Sequence, residues 1–276
     1  MGLPLLVIIG IVQGITEFLP VSSSGHLVFL QHVLDVDFPG ITLEVAVHGG
    51  TLIAVLVFYR NDALRIVRAV GSGVYSLVVE RDRPVRVLAR PDFYRGFTIL
   101  FATLVTAAAV LPLEDVIVNR LWTVDTVAWA WLFTGLILLF TRGREPRGHF
   151  LTIGGAVLMG FAQAMAVIPG ISRSGMTIFA ALLLGLARDE AARFSFLLSV
   201  PAILGALVLD LPAASRALVE DSTMLPGLLA GVAAAAIVGY LALKLVVGKL
   251  KRGQLHHFTP YLWLLGAVTL VVRSLG

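Results

Sequence analysis

The sequence predicts an all-α polytopic membrane protein, built as an inverted-topology repeat in which each half is a re-entrant helical hairpin plus about three transmembrane helices. Three observations predict it. Of 276 residues, 58% are hydrophobic and 14% are charged, whereas soluble chains carry about 25% charged residues; the mean hydropathy is +0.93. Lys and Arg crowd into alternate loops, 17 on one side of the apolar segments against three on the other. The chain also aligns with itself, without a gap, at an offset of 150 residues.

This composition excludes a soluble enzyme, a disordered chain and a nucleic-acid partner, even with a sequence pI near 9.8. At about 20 residues per crossing of the hydrocarbon core, the length has room for roughly eight to ten segments. There is no cysteine, hence no disulfide, thiolate nucleophile or Cys-ligated metal. Met1–Gly10 lacks a positively charged start, so no cleavable signal peptide is expected. Residues 1–276 read as a single integral membrane domain.

Taken in order, the apolar region 3–34 is interrupted by a polar tip containing Pro20 and Gly25. Its second arm, 25–34, is too short to span, which makes the region a re-entrant hairpin. A full span follows at 42–59. The longest polar linker, 60–95, carries eight arginines and reads as a cytoplasmic anchor against anionic lipid. Spans 96–112 and 122–141 come next, then a basic loop at 142–149. Region 150–187 is interrupted in the same way, and spans 194–211, 226–247 and 258–275 complete the chain. Arg188, Arg193, Lys244, Lys249, Lys251 and Arg252 join the cytoplasmic side. The opposite side has Arg120, Arg216 and Arg273, with the acidic Asp35, Asp37, Glu114, Asp115, Glu220 and Asp221. Three spans, an odd number, separate the two hairpins. The second repeat, 150–276, therefore enters the membrane upside down relative to the first, 1–141.

At the 150-residue offset Gly10, Gln13, Ser22, Ser24 and Gly25 recur as Gly160, Gln163, Ser172, Ser174 and Gly175. Inverted repeats bring their interrupted helices together near the bilayer midplane, where irregular backbone is tolerated only if protein buries it or it lines a wet cavity. Ser22–Gly25 and Ser172–Gly175 should then converge on one polar site. Gln13 and Glu17, four apart, share a helix face, and an intramembrane carboxylate is a functional hypothesis by default. The first tip adds serine hydroxyls, the backbone N–H groups beside Gly25, and the imidazole of His26. The second adds Arg173, whose rigid donor fork suits phosphate oxygens, with Ser172, Ser174 and Thr177. The bland alternatives are that the serines are helix caps and that Glu17 and Arg173 form a structural ion pair. His48 reads as a core histidine with its hydrogen bonds satisfied.

These residues carry a resemblance. Q-x-x-x-E at 13–17, P-V-S-S-S-G-H at 20–26 and P-G-x-S-R-S-x-x-T at 169–177 resemble the signatures of the undecaprenyl-diphosphate phosphatases, also called bacitracin-resistance proteins. The resemblance covers the chain in length, motif spacing and hydropathy. It implies an enzyme of the bacterial plasma (inner) membrane, with its site open to the outer face. Such an enzyme removes the terminal phosphate of undecaprenyl diphosphate, regenerating the monophosphate lipid carrier of cell-wall synthesis, with help from a divalent cation, Mg²⁺ or Ca²⁺. It further implies Ser23 as nucleophile, His26 as a catalytic residue or its activator, and Arg173 as the diphosphate ligand. Ser22, Ser172, Ser174 and Thr177 match the family's supporting hydroxyls; Ser24 and Gly25 of the first tip are expected substrate contacts on the reading of the tip itself. Glu17 matches the second acidic position of the family's (E/Q)xxxE motif. Gln13 matches the first, which aids metal binding where it is Glu; here it is uncharged.

A serine nucleophile needs a base in reach, and Glu17 or His26 would serve; direct attack by a water activated by Glu17 with the metal, which Glu17 and Gln13 would hold, is an equally coherent scheme. A second lipid-phosphatase family also uses S-G-H and S-R motifs, but requires a His six residues after the Arg, where this chain has Phe179. From another class, a lipid-phosphate transporter or flippase would use the same midplane anion site. It would need no nucleophile or base, so Glu17, Ser23 and His26 together favour hydrolysis. The sequence does not report oligomeric state, and a homodimer stays open.

Overall fold

The computed structural model describes residues 3–34, 40–145, 147–148, 150–220 and 222–275, without the side chains of 34, 40–44, 217–220 and 222. Asp35, Asp37 and Asp221 of the predicted acidic face lie outside the described residues, as does the side chain of Glu220. The described residues form helices and no strands. In chain order these are α1 (Leu3–Phe18), α2 (Ser23–Leu34), α3 (Gly40–Phe58), α4 (Arg60–Val78), α5 (Pro84–Leu88), α6 (Pro91–Val110), α7 (Glu114–Val116) and α8 (Val124–Leu139), then α9 (Ile153–Met165), α10 (Arg173–Leu183), α11 (Arg188–Glu220), α12 (Leu225–Lys251) and α13 (Thr259–Leu275). Four helical stretches are long and apolar enough to cross a membrane, Pro91–Leu121, Arg188–Arg216, Leu225–Lys251 and Leu255–Leu275, with five shorter apolar helices beside them. The chain is an all-α, multi-pass membrane protein.

The two interrupted regions are pairs of short helices. α2 has 12 residues and α10 has 11; at 1.5 Å per residue neither exceeds about 18 Å, short of the ~30 Å hydrocarbon core. The expected spans become α3, α6, α8, α11, α12 and α13. The linker 60–95 is not a loop, however. α4 is a 19-residue helix, and the reason is periodic: Ile66 and Val70 lie over Gly96 of α6, and Phe93 of α6 packs over Gly73.

Helix pairs approach closely where side chains are absent, the usual device of membrane bundles. Gly10 and Gly14 of α1 lie on Gly231, Ala235 and Gly239 of α12. Gly160 of α9 lies on Ala102 and Val105 of α6, and Gly266 of α13 on the Ala128 carbonyl of α8. The largest core cluster, which includes Phe18, Ile178, Phe196 and Leu243, joins α1, α10, α11 and α12 and sits beside the two hairpin tips.

Candidate active site

Each hairpin turns on a capped serine. Ser22 precedes α2 with φ 68°, and its Oγ accepts the Gly25 N–H at 3.3 Å and contacts Ser24 Oγ at 3.2 Å. Ser172 precedes α10, accepting the Gly175 N–H at 3.1 Å and contacting Ser174 Oγ at 3.2 Å. The capping hydrogen bonds are repeated residue for residue, although Ser172 has an extended backbone with φ −75°, so Ser23 in one tip occupies the place of Arg173 in the other. The tips touch: a Cβ on Gly25 would lie 2.9 Å from Gly170 Cα. α8 clamps both, with Trp131 Nε1 donating to the Val21 carbonyl at 3.1 Å and Thr134 Oγ1 to the Gly170 carbonyl at 3.1 Å.

This contact brings Glu17, Ser23 and Arg173 together. Glu17 is 8% exposed. Its Oε1 accepts from Arg173 Nη2. Its Oε2 accepts from Ser23 Oγ at 2.5 Å and from Gln13 Nε2 at 2.9 Å, with His48 Nε2 3.7 Å away. Arg173 Nη1 and Gln13 Oε1 are buried without a hydrogen-bond partner. The group opens into a cavity of about 450 Å³ whose wall includes Ser22, Ser24 and Ser172.

Five predicted residues are not brought to that wall. Gln13 lies behind Glu17, fully buried, with Nε2 on the Glu17 carboxylate. Gly25 is enclosed at the contact between the tips. Ser174 Oγ is turned to the Leu19 carbonyl at 3.3 Å. Thr177, fully buried, ties α10 to α11 through Ser195 Oγ at 2.5 Å. His26 points to the far side of α2, where Nδ1 is 2.7 Å from the Ser22 carbonyl and Nε2 is 2.7 Å from Tyr261 Oη.

The cavity also collects residues from distant elements: His48 of α3, Thr106 of α6, Gln163 of α9, Asp210 of α11, and an apolar strip at Ala202, Ile203, Ala206 and Leu207. His48 is therefore a wall residue beside the carboxylate, not an enclosed core histidine. Two of these had signals in the sequence: Gln163 is the offset partner of Gln13, and Asp210 is a carboxylate inside an apolar segment.

The donor set is poor for a divalent cation. Among the described residues no three His, Asp or Glu side chains come together as ligands. Gln13 brings no charge, and both oxygens of Glu17 already accept hydrogen bonds. The protein's own groups would supply only a minority of the six or more oxygens of a Mg²⁺ or Ca²⁺ shell, leaving the rest to water and substrate phosphate.

Comparison with known proteins adds the decisive observation. The family model described as bacitracin resistance protein BacA matches residues 6–268. The chain belongs to this family. Its relatives include a protein of Rubrobacter xylanophilus, 41% identical over 95% of this chain and 95% of its own length. Another, from Desulfosudis oleivorans, is 39% identical over 96% of each chain. A third, from Carboxydothermus hydrogenoformans, is 38% identical over 98% of this chain and 97% of its own. All three are named undecaprenyl-diphosphatase. The matched span contains both hairpin tips and every cavity residue named above.

Proposed function

We propose that this chain hydrolyses the terminal phosphate of undecaprenyl diphosphate to give undecaprenyl phosphate and inorganic phosphate. Family membership and the names of its relatives support the substrate. The observation that carries the chemistry is the Ser23 Oγ–Glu17 Oε2 hydrogen bond of 2.5 Å, with Arg173 on the other oxygen of the same carboxylate.

Ser23 is the nucleophile and Glu17 its base, a pair already within transfer distance. As Ser23 Oγ attacks the terminal phosphorus, its proton passes to Glu17. The bond from phosphorus to the bridging oxygen breaks, and undecaprenyl phosphate leaves with that electron pair. Water then attacks the phosphoserine; the bond from phosphorus to Ser23 Oγ breaks, Glu17 returns its proton to that oxygen, and the water's own protons leave with the inorganic phosphate. Arg173, with Nη1 unengaged, stabilises the charge on the non-bridging oxygens, and Ser22, Ser24 and Ser172 donate hydrogen bonds around it. The apolar strip from Ala202 to Leu207 receives the first isoprene units. No step here is routed through a metal; a Mg²⁺ or Ca²⁺ ion, where used, would arrive on the substrate and would supply charge neutralisation there.

The cavity faces the outer side of a bacterial plasma membrane, a reading supported by the 17-to-three loop asymmetry and the positive-inside rule. The two repeats, 1–141 and 150–276, are inserted in opposite senses. α1 and α2 begin 150 residues before α9 and α10, and the crossing of α1 on α12 has its counterpart in that of α9 on α6. The family and its relatives lend no support to a transporter.

The test is phosphate release from undecaprenyl diphosphate by the purified protein in detergent with Mg²⁺. Wild type should turn over, and Ser23→Ala should not. No release from wild type would sink the hydrolase reading; full activity in Ser23→Ala would leave only direct attack by water.

A further inference from the structure

His26 lies one helical turn beyond Ser22, outside the cavity, and its two nitrogens are both engaged. Nδ1 is 2.7 Å from the Ser22 carbonyl oxygen. A carbonyl only accepts, so Nδ1 carries the hydrogen. In the neutral ring Nε2 is then an acceptor, and the Tyr261 hydroxyl, 2.7 Å away, donates to it. The Tyr261 ring lies nearly parallel to the imidazole, at 8° and 5.9 Å between centroids. Trp131 presents an edge at 5.2 Å while holding the Val21 carbonyl. Side chains from α2, α8 and α13 thus grip two successive carbonyls of the tip. Ser22, between them, has φ 68°, a left-handed conformation that persists for a non-glycine residue only when its surroundings impose it. The next residue is Ser23.

We propose that Tyr261 is a positioning residue for hydrolysis, acting with His26 as one clamp on the Ser22 carbonyl that aims Ser23 Oγ at Glu17. The proposal rests on the hydrolase reading above. His26 moves no proton in this arrangement, because Nδ1–H is committed to Ser22 and the Nε2 lone pair to Tyr261. His26 matters to the reaction through the backbone it holds, and α13, remote in sequence, is part of the site's construction.

Two measurements test this. In ¹⁵N-histidine-labelled protein the His26 signals should report the Nδ1–H tautomer, and Tyr261→Phe, which keeps the ring stack and removes the hydroxyl, should mix in the Nε2–H form. In phosphate-release assays Tyr261→Phe should lower kcat about threefold to tenfold, the worth of one neutral hydrogen bond, with KM near wild type. Adding Tyr261→Phe to His26→Ala should cost nothing further, since the clamp is already open. His26→Gln should leave both limbs of the kcat–pH profile in place. Additive losses in the double variant, a limb that disappears with His26, or wild-type kcat and tautomer in Tyr261→Phe would each overturn the clamp. A wild type that releases no phosphate would remove the hydrolase reading, while the tautomer measurement would still judge the clamp.

Discussion

The two oxygens of Glu17 face different partners, Arg173 on one side and Ser23 with Gln13 on the other. Glu17→Gln keeps the shape of this group but removes the base and leaves Arg173 without its ion pair. It should lower kcat about 100- to 10,000-fold, the usual worth of general base catalysis, as read by phosphate release; activity within tenfold of wild type would remove Glu17 from the mechanism. The same occupancy bears on the cation. Mn²⁺ titrated into the protein and followed by EPR should show no stoichiometric binding until a methylene-bridged diphosphonate lipid is added; tight binding to protein alone would overturn the view that the cation arrives on the diphosphate. Glu17, Ser23 and Arg173 are legible in the sequence because short tips leave few alternatives: a carboxylate six residues before a serine must meet it if the chain turns at Pro20. His48 and Asp210 are less legible, since nothing in a nearly uniform apolar segment says which face of α3 or α11 meets the cavity. The direction of His26 is set by Tyr261, 235 residues away, which no local spacing encodes.

Between helices, glycine decides how near two backbones come. A Cβ on Gly14 would sit 2.8 Å from the Ala235 carbonyl oxygen and 2.9 Å from the Gly239 nitrogen, both backbone atoms of α12 that have little room to move. Gly205 of α11 has nothing within 4 Å. Gly14→Leu should therefore destabilise the fold by at least the ~1–3 kcal/mol typical of overpacking, read as a lower thermal unfolding midpoint in detergent. Gly205→Leu should leave it nearly unchanged; equal shifts in the two variants would refute the close crossing. The apolar segments are legible because hydrocarbon demands long runs without charge. Helix ends are not, since α11 begins at Arg188 and continues through Pro201 and Pro212 to Glu220, well past the apolar stretch 194–211. α4 is hidden for a related reason. Its arginines lower the average hydropathy of 60–95, while Ile66, Val70 and Gly73 still supply a face for α6, and Leu64, Val67, Val74 and Val78 remain exposed.

At the scale of the molecule, the inverted reading makes a claim about sides of the membrane that packing alone does not. α1, in the first half, crosses α12 in the second, and α9, in the second half, crosses α6 in the first. Each hairpin is braced by a helix of the other half; on the inverted reading, the two halves insert together in opposite senses. On that reading positive charge would supply the bias for insertion: the eight arginines of 60–95 would hold one face inside, with the acidic Glu114 and Asp115 on the other. Because the chain has no cysteine, single cysteines can report each position without background. In intact cells a membrane-impermeant maleimide should label Asp115→Cys at once and Arg83→Cys only after permeabilisation. Asp210→Cys, on the cavity wall, should label from outside, and an undecaprenyl diphosphate analogue should protect it. Labelling of Arg83→Cys from outside would reverse the orientation, and labelling of positions 83 and 115 from the same side would abolish the inversion itself.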